Sequence, residues 1–370
     1  MPRQYDVIAL LSGGLDSLLA AHLIRRQGKK ILGLNFVTPF FGKAHLVEKW
    51  KNLYGLELMA VDVSREFVDM LVERPGHGFG KMLNPCVDCK ILLLRKAVEL
   101  MREYGARAVI TGEVLGQRPM SQRLDALNII KRESGVGDLL LRPLCAKLLP
   151  ETEPEQSGFI DRSALLALSG RNRKGQLALA GEFGITDIPT PAGGCLLTEQ
   201  EKSRAYWAVL RFAPNPAPTD FAVVKNGRPY WLFDSPTLDR ASCMLSIGRN
   251  REDNERLEQL AQKDDLLFLP AGFTGPTALG RVFADAPWTN AEVFSAASLT
   301  ASFAPKAARS FELDGKPLKM LVRTGGEEQV LEVKPERAAG NGRVWSAYPW
   351  EKAREEIRAE AAAKARARAF

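Results

Sequence analysis

The sequence predicts an α/β protein: a doubly wound parallel sheet followed by a second, smaller α+β domain. Three observations carry that expectation. Short apolar runs alternate with helix-length segments through the first third of the chain. A Gly-Gly turn flanked by hydroxyl and acidic residues joins the first run to the first helix. A Pro-rich stretch, Ala213-Pro214-Asn215-Pro216-Ala217-Pro218, marks a change of texture.

Val7-Ile8-Ala9-Leu10-Leu11 is continuously apolar, as a strand buried on both faces must be. Residues 15–26 read as a helix, 31–34 as a strand, 45–53 as a helix and 58–61 as a strand. After a Gly/Pro-rich loop at 75–80 come a long helix at 86–104 and a strand at 108–110. Strand and helix in rotation imply βαβ units and a parallel sheet. Residues 124–184 look mainly helical, ending in a turn-rich run at 188–194. Beyond the Pro-rich stretch, 221–224 and 230–233 flank Asn226-Gly227 and suggest a hairpin. Strands are expected at 244–247 and 266–269, with a helix at 252–261 between them. The expected division is therefore 1–212, a linker at 213–219, a second domain at 220–288, a β-rich extension at 289–350 and a charged, solvated helical tail at 351–370.

At roughly 150 residues per domain, 370 residues make two to three domains. A composition of 45% hydrophobic and 26% charged residues excludes a disordered or fibrous chain. No apolar run is long enough to span a bilayer, and the first residues lack a signal-peptide pattern, so no membrane association is expected and a cytoplasmic location is. The net charge of +7 suits an anionic partner. Five cysteines, an odd and small number, argue against a disulfide framework.

Ser12-Gly13-Gly14-Leu15-Asp16-Ser17 lies between a buried strand and a helix. Two glycines let backbone N–H groups close around an anion, and the helix N-terminus adds partial positive charge. Serine hydroxyls can donate to phosphate, and Asp16 can hold Mg²⁺ against its oxygens. The hexapeptide lacks the Lys-Ser/Thr ending of a Walker loop. It resembles the PP-loop of the N-type ATP pyrophosphatases, with their adenine-nucleotide α-hydrolase-like fold. The resemblance implies cleavage of ATP between its α and β phosphates, with Ser12, Gly13, Gly14, Asp16 and Ser17 gripping pyrophosphate and Mg²⁺.

Asn84-Pro85-Cys86-Val87-Asp88-Cys89-Lys90 opens a helix with C-x-x-C, where thiolates gain from the helix terminus. Three histidines, none at finger spacing, argue against a tetrahedral structural zinc. Cys195, in Ala192-Gly193-Gly194-Cys195, is a third candidate; Cys145 and Cys243 sit among apolar neighbours as ordinary buried thiols. A C-x-x-C plus one distal cysteine is similar to the tRNA thiouridine synthases that carry a 4Fe-4S cluster. That implies a cluster held by Cys86, Cys89 and Cys195 with one open iron. A cluster-free enzyme with one persulfide-carrying and one resolving cysteine stays open.

Thr111-Gly112-Glu113-Val114-Leu115-Gly116-Gln117-Arg118-Pro119-Met120-Ser121-Gln122 follows the strand at 108–110 and must lie at the carboxyl edge of the sheet, where such folds bind ligands. It resembles the T-G-E-x-L-G-Q-x-x-S-Q segment of the tRNA 4-thiouridine synthases and brings Thr111, Gly112 and Gln117 to the expected ATP site. In bacterial members an RNA-binding THUMP domain precedes the PP-loop and some carry a sulfur-carrying cysteine in a C-terminal rhodanese domain; here the loop begins at residue 12 and no cysteine follows Cys243. The RNA grip is therefore expected elsewhere. Ile247-Gly248-Arg249-Asn250, Asp253-Asn254-Glu255-Arg256-Leu257 and Lys263-Asp264-Asp265-Leu266 resemble the RNA-binding module of the NFACT family, with Arg249 and Asn250 at a phosphate-facing turn. Arg171, Arg173 and Lys174 form a second basic loop suited to RNA phosphates.

The expectation is an ATP-dependent tRNA sulfurtransferase that adenylates a uridine oxygen and replaces it with sulfur, giving 4-thiouridine at position 8. The catalytic set is Asp16, Cys86, Cys89 and Cys195. The partners are tRNA and a sulfur donor, either inorganic sulfide or a cysteine desulfurase, and a homodimer is allowed for. Open alternatives are a 2-thiouridine synthase, a PP-loop amidotransferase or amide ligase, and a non-catalytic RNA-binding quality-control adaptor.

Overall fold

The computed structural model describes residues 4–187, 194–283, 287–340 and 342–367. The chain forms two compact units, Met1–Leu196 and Leu197–Phe370. The turn-rich run expected at 188–194 lies outside the described residues except for Gly194.

The first unit runs β1 (Val7–Leu10), α1 (Leu15–Arg25), β2 (Ile31–Val37), α2 (Val47–Tyr54), β3 (Glu57–Asp62), α3 (Ser64–Val72), α4 (Cys86–Glu103), β4 (Ala108–Thr111), α5 (Leu124–Glu133), β5 (Leu140–Leu141), α6 (Glu153–Gln156) and α7 (Lys174–Glu182). Its strands form a sheet of order β3-β2-β1-β4-β5, every pair parallel. Central β1 explains its own sequence. Val7 lies opposite both Ile31 and Ala108, and no β1 residue is more than 7% exposed. Ile8 and Leu10 face a core with Leu94 and Ala97 of α4 and Ile130 of α5; Val7 and Ala9 face Leu18, Ala21 and Ile24 of α1 and Trp50 of α2. The doubly wound sheet is therefore as expected. Chain order reverses across β1, whose neighbours are β2 on one side and β4 on the other, so the ligand crevice of this fold opens at the carboxyl ends of β1 and β4. The stretch 124–184 is less helical than its pattern suggests. Gly135 and Gly137 adopt left-handed φ of 71° and 57°, and these turns separate α5 from the short β5.

The second unit runs α8 (Gln200–Phe212), α9 (Pro218–Lys225), β6 (Arg228–Phe233), β7 (Ala241–Ile247), α10 (Arg251–Leu260), β8 (Leu266–Ala271), β9 (Ala278–Val282), α11 (Asn290–Ala301), α12 (Pro305–Asp314), β10 (Leu318–Thr324), β11 (Glu327–Val333), β12 (Val344–Ser346) and α13 (Trp350–Ala367). Its sheet has the order β11-β10-β8-β9-β7-β6-β12, with antiparallel pairs.

Four expectations are corrected here. Residues 221–224 are helical, not a strand: Pro218 stands in the first turn, the Asp220 carboxylate accepts from Ala217 N–H at 2.7 Å, and Phe221 and Val224, one turn apart, are both buried. The Pro-rich stretch is internal to the second unit, because α8 on its N-terminal side packs against α9 and β6 on its C-terminal side, through Tyr206–Phe221 and Phe212–Trp231 ring contacts at 5.9 and 5.5 Å. Residues 289–350 are not a separate extension, since β10 pairs with β8 in the common sheet. Finally, α13 is not wholly solvated. Ala353 and Ile357 are buried one turn apart, and Glu356 accepts from Trp207 Nε1 at 2.6 Å and Tyr348 Oη at 2.8 Å. Among the described residues, no helix is long and apolar enough to cross a membrane.

Candidate functional site: a phosphate loop and a cysteine rim

The loop after β1 enters α1 through Gly13, at φ +77°, and Gly14, the N-cap. A Cβ on Gly13 would stand 2.6 Å from Trp50 Cζ2 and closer still to Cη2, so a side chain is refused by conformation and by space. Ser17 Oγ donates to Gly14 O at 2.9 Å and lies 3.4 Å from Ser12 Oγ, which ties the two ends of the loop together. Asp16 has one carboxylate oxygen engaged. Gln117 Nε2 donates to Oδ2 at 2.7 Å, and Arg173 approaches the same oxygen at 3.4 Å. The other oxygen, Oδ1, is buried with no hydrogen-bond partner among the described residues. A buried carboxylate oxygen left over beside an anion loop is a fitting ligand for Mg²⁺.

The loop after β4 closes on the first. A Cβ on Gly112 would lie 2.5 Å from Ser17 Cα, so glycine permits the two backbones to touch. Thr111 and Gln117 are both buried there. Gln117 in turn accepts from Gln176 Nε2 at 3.0 Å. Between them Glu113, 2% exposed, accepts from Thr111 Oγ1 at 3.0 Å and Arg142 Nε at 2.9 Å, with Lys90 Nζ at 3.8 Å. Burial pushes the Glu113 carboxyl up, but Lys90 and Arg142 outweigh it and hold it below the usual range. This buried node fixes the β4 loop against α4. Glu113 is visible in the sequence only as a letter of the motif, and Lys90, Arg142 and Trp50 give no local signal.

Cys86 and Cys89 occupy the first turn of α4, where Cys89 N–H donates to Pro85 O at 2.8 Å. Asn84 Nδ2 donates to Cys86 Sγ at 3.1 Å and to Met120 Sδ at 3.5 Å, which brings the cysteine turn against the β4 loop. Cys195 is held by its neighbour Leu196, whose N–H donates to Phe40 O at 3.0 Å. Burial pushes the Cys89 thiol up, and Cys195 and Cys86 push it further, against Lys90. The three predicted sulfurs therefore share one electrostatic neighbourhood. Among the described residues no three His, Cys, Asp or Glu side chains, Cys86, Cys89 and Cys195 included, are gathered closely enough to hold a metal ion. The donor set, three soft sulfurs with an amide donor on one, suits an iron–sulfur group in its chemistry. Cys145 and Cys243 are buried, and burial raises their thiols to about 11 and about 12.

The predicted RNA-contacting residues are placed less simply. Arg173 lies at Asp16, in the phosphate site, while Lys174 begins α7 and Arg171 is exposed. Ser169 bridges to Leu115 and Gly170 N–H donates to Leu115 O at 2.8 Å, so this basic loop is strapped to the β4 loop. In the second unit Asn250 caps α10 by accepting from Asp253 N–H at 2.9 Å. Arg249 pairs with Asp253 at 2.6 Å yet keeps 41% of its side chain exposed. Asp265 is absorbed in a buried network with Arg281 and Asp220.

A parallel sheet with a Gly-Gly loop after its first strand and an acidic side chain in the helix turn that follows is the arrangement of a nucleotide-binding α/β domain. Residues 3–147 match the family described as ThiI, Thiamine biosynthesis protein. The chain is 30% identical over 145 residues to a probable tRNA sulfurtransferase of Thermococcus kodakarensis, a match covering 38% of this chain and 37% of that one. It is 31% identical over 155 residues to a tRNA sulfurtransferase of Shewanella frigidimarina, covering 40% and 30%. The matched region is thus about a third of each relative's length. Among solved structures, it is similar to the U34-tRNA thiolase NcsA from Methanococcus maripaludis with its 4Fe-4S cluster, at 17% identity over 51% of this chain and 60% of that one, with a TM-score of 0.30.

Proposed function

We propose that this chain is an ATP-dependent tRNA sulfurtransferase that converts a tRNA uridine to thiouridine, specifically 4-thiouridine at position 8. The observation that supports it most is a shared crevice. The β4 loop touches Asp16 of the phosphate loop through Gln117 and touches the cysteine turn through Met120 and Asn84. Nucleotide and sulfur chemistry would meet there.

Ser12, Ser17 and the N–H groups around Gly13 and Gly14 bind the β and γ phosphates of ATP, and the α1 terminus adds to their field. Thr111, Gly112 and Gln117 form the facing wall. Asp16 would hold Mg²⁺ through its unpartnered oxygen, and Arg173, now on the other oxygen, can turn to phosphate once the cation neutralises the carboxylate. The uridine oxygen attacks the α-phosphorus, the bond to the pyrophosphate oxygen breaks, and pyrophosphate leaves. The positioned loop donors stabilise the charge that builds on the phosphates. Hydrosulfide, added as such or formed when thiols reduce desulfurase-borne persulfide and are themselves oxidised to a disulfide, then attacks the activated ring carbon and gives up its proton, and the carbon–oxygen bond breaks to release AMP. Adenylation is needed because a carbonyl oxygen is a poor leaving group. Cys86, Cys89 and Cys195 would hold a 4Fe-4S cluster, which when bound supplies an open iron for the sulfur in transit. Asn84 orients the Cys86 sulfur, and Lys90 offsets the negative charge of the thiolates.

Iron content and thiolation, measured on anaerobically purified single variants, test the assignment. Cys86→Ala, Cys89→Ala and Cys195→Ala should each lose both, while Cys145→Ala and Cys243→Ala keep both. Loss of iron in Cys145→Ala with retention in Cys195→Ala would show the ligand set to be wrong. Full thiolation by an iron-free protein would favour the persulfide route instead.

A further inference from the structure

Helix α7 carries a polar residue where its packing calls for an apolar one. Leu179 and Ala180 bury against Leu15, Leu19 and Leu23 of α1, and Phe183 packs on the same cluster. Gln176 lies one turn before Leu179 and Ala180, on the same helical face, and is only 1% exposed. Its neighbour Leu177, on the other face, is 49% exposed. A glutamine in the apolar stripe, beside a leucine left in solvent, is not what burial alone favours, and such local violations mark functional sites.

The direction of its hydrogen bond follows from Asp16. A carboxylate only accepts, so Gln117 turns its Nε2 toward Asp16 Oδ2, at 2.7 Å. That leaves Gln117 Oε1 facing α7, where Gln176 Nε2 donates to it at 3.0 Å. Both amides are buried, and the far end of the chain is an orphan: Gln176 Oε1 has no hydrogen-bond partner among the described residues. An unpartnered buried carbonyl carries a desolvation cost that an apolar side chain would not. What the amide supplies is direction. While Gln176 donates, Gln117 cannot turn its own oxygen toward Asp16, and Oδ2 stays occupied. The oxygen left over on Asp16 is then always Oδ1, which is buried and unpartnered among the described residues. Arg173, at the start of α7, also meets Oδ2. Helix α7 therefore bears on that one oxygen twice, directly and through Gln117.

We propose that Gln176 is a positioning residue for the metal-bearing carboxylate: through Gln117 it fixes Asp16 with Oδ1 turned to the cation of Mg·ATP. The inference rests on the reading that the Gly-Gly loop binds ATP with Mg²⁺ at Asp16, and adds to it a residue that acts only through Gln117.

ATP titrations of the full chain in Mg²⁺ and in EDTA test it. Losing a residue that orients a metal ligand costs about 10–100-fold in metal affinity. Gln176→Met fills nearly the same space and should weaken binding in Mg²⁺ about tenfold, with binding in EDTA unchanged. It exchanges one unpartnered oxygen, its own, for that of Gln117, so the urea midpoint of this unit should stay near wild type or rise. Gln176→Glu keeps the shape, but a carboxylate can only accept; it draws Gln117 Nε2 to itself and turns Gln117 Oε1 onto Asp16. It should therefore weaken Mg²⁺-dependent binding more than Gln176→Met does. A merely structural role would instead lower affinity equally in both buffers, in step with stability. Wild-type affinity of Gln176→Met in Mg²⁺, or equal losses in Mg²⁺ and EDTA, would overturn the inference and leave the reading of Asp16 intact. A wild-type chain whose ATP affinity does not depend on Mg²⁺ would overturn the reading of Asp16 itself, and the inference with it, before any variant is made.

Discussion

Gly13→Ala should damage the phosphate loop by two separable routes. The first is conformational: at φ +77° an alanine loses about 1–2 kcal/mol to the left-handed region. The second is steric, because the new Cβ would overlap the Trp50 ring, 2.6 Å from Cζ2. Trp50 is 8% exposed and packs in the core beside Val47, Leu56 and Leu58, so it has little room to retreat. Overpacking of this kind costs about 1–3 kcal/mol. Together they come to about 2–5 kcal/mol, a large part of an ordinary domain's stability of ~5–15 kcal/mol. Trp50→Leu removes the ring and hence only the steric part. In a double-mutant cycle with Gly13→Ala the two changes should therefore couple by about 1–3 kcal/mol, the double variant being less damaged than the sum of the singles. Urea titration read by hydrogen exchange in peptides from β1 and α1 follows this unit by itself, and ATP affinity follows the loop. Strict additivity, or a Gly13→Ala protein as stable as wild type, would refute the packing argument.

Asp16→Asn should lower ATP–pyrophosphate exchange by about a hundredfold or more, the scale for removing a group that stabilises transition-state charge, with tRNA affinity nearly unchanged; exchange at the wild-type rate would refute its role. Arg142→Leu should cost about 3–5 kcal/mol by stranding buried Glu113, and adding Glu113→Gln should recover part of that loss in the same urea titration. Burial, and then the charge of Arg25, lowers His22 to about 4 from 6.5. The neutral ring is thus favoured in the fold, and between those values the unfolded chain binds the extra proton. Stability should be constant above 6.5 and fall toward pH 4 by up to about 3 kcal/mol. His22→Leu should flatten that part of the pH profile, and an unchanged profile would contradict the assignment.

The parallel sheet is legible because β1 is buried on both faces and so has to be apolar throughout. The hexapeptide and the C-x-x-C are legible because loop chemistry is written locally. Residues 221–224 mislead because Phe-Ala-Val-Val satisfies a strand and a helix equally; the deciding signal is the cap formed by Pro218 and Asp220, just upstream of Phe221. Arg173 reads as an RNA contact because nothing local ties it to Asp16, 157 residues away. Trp50, Arg142 and Lys90 escape notice for the same reason: their roles exist only once separate elements meet. The α13 helix looks solvated because its many charges conceal the Ala353–Ile357 spacing of a buried stripe.

The central claim is that one crevice joins ATP cleavage to sulfur insertion. Its most direct measurement is anaerobic incubation of the full chain with ATP, Mg²⁺, sulfide and unmodified tRNA, followed by nucleoside mass analysis of the digested RNA. The expected product is 4-thiouridine at position 8, formed with equal amounts of AMP and pyrophosphate and lost in Asp16→Asn and Cys195→Ala. Pyrophosphate release that needs ammonia and no tRNA, with every uridine unchanged, would contradict it.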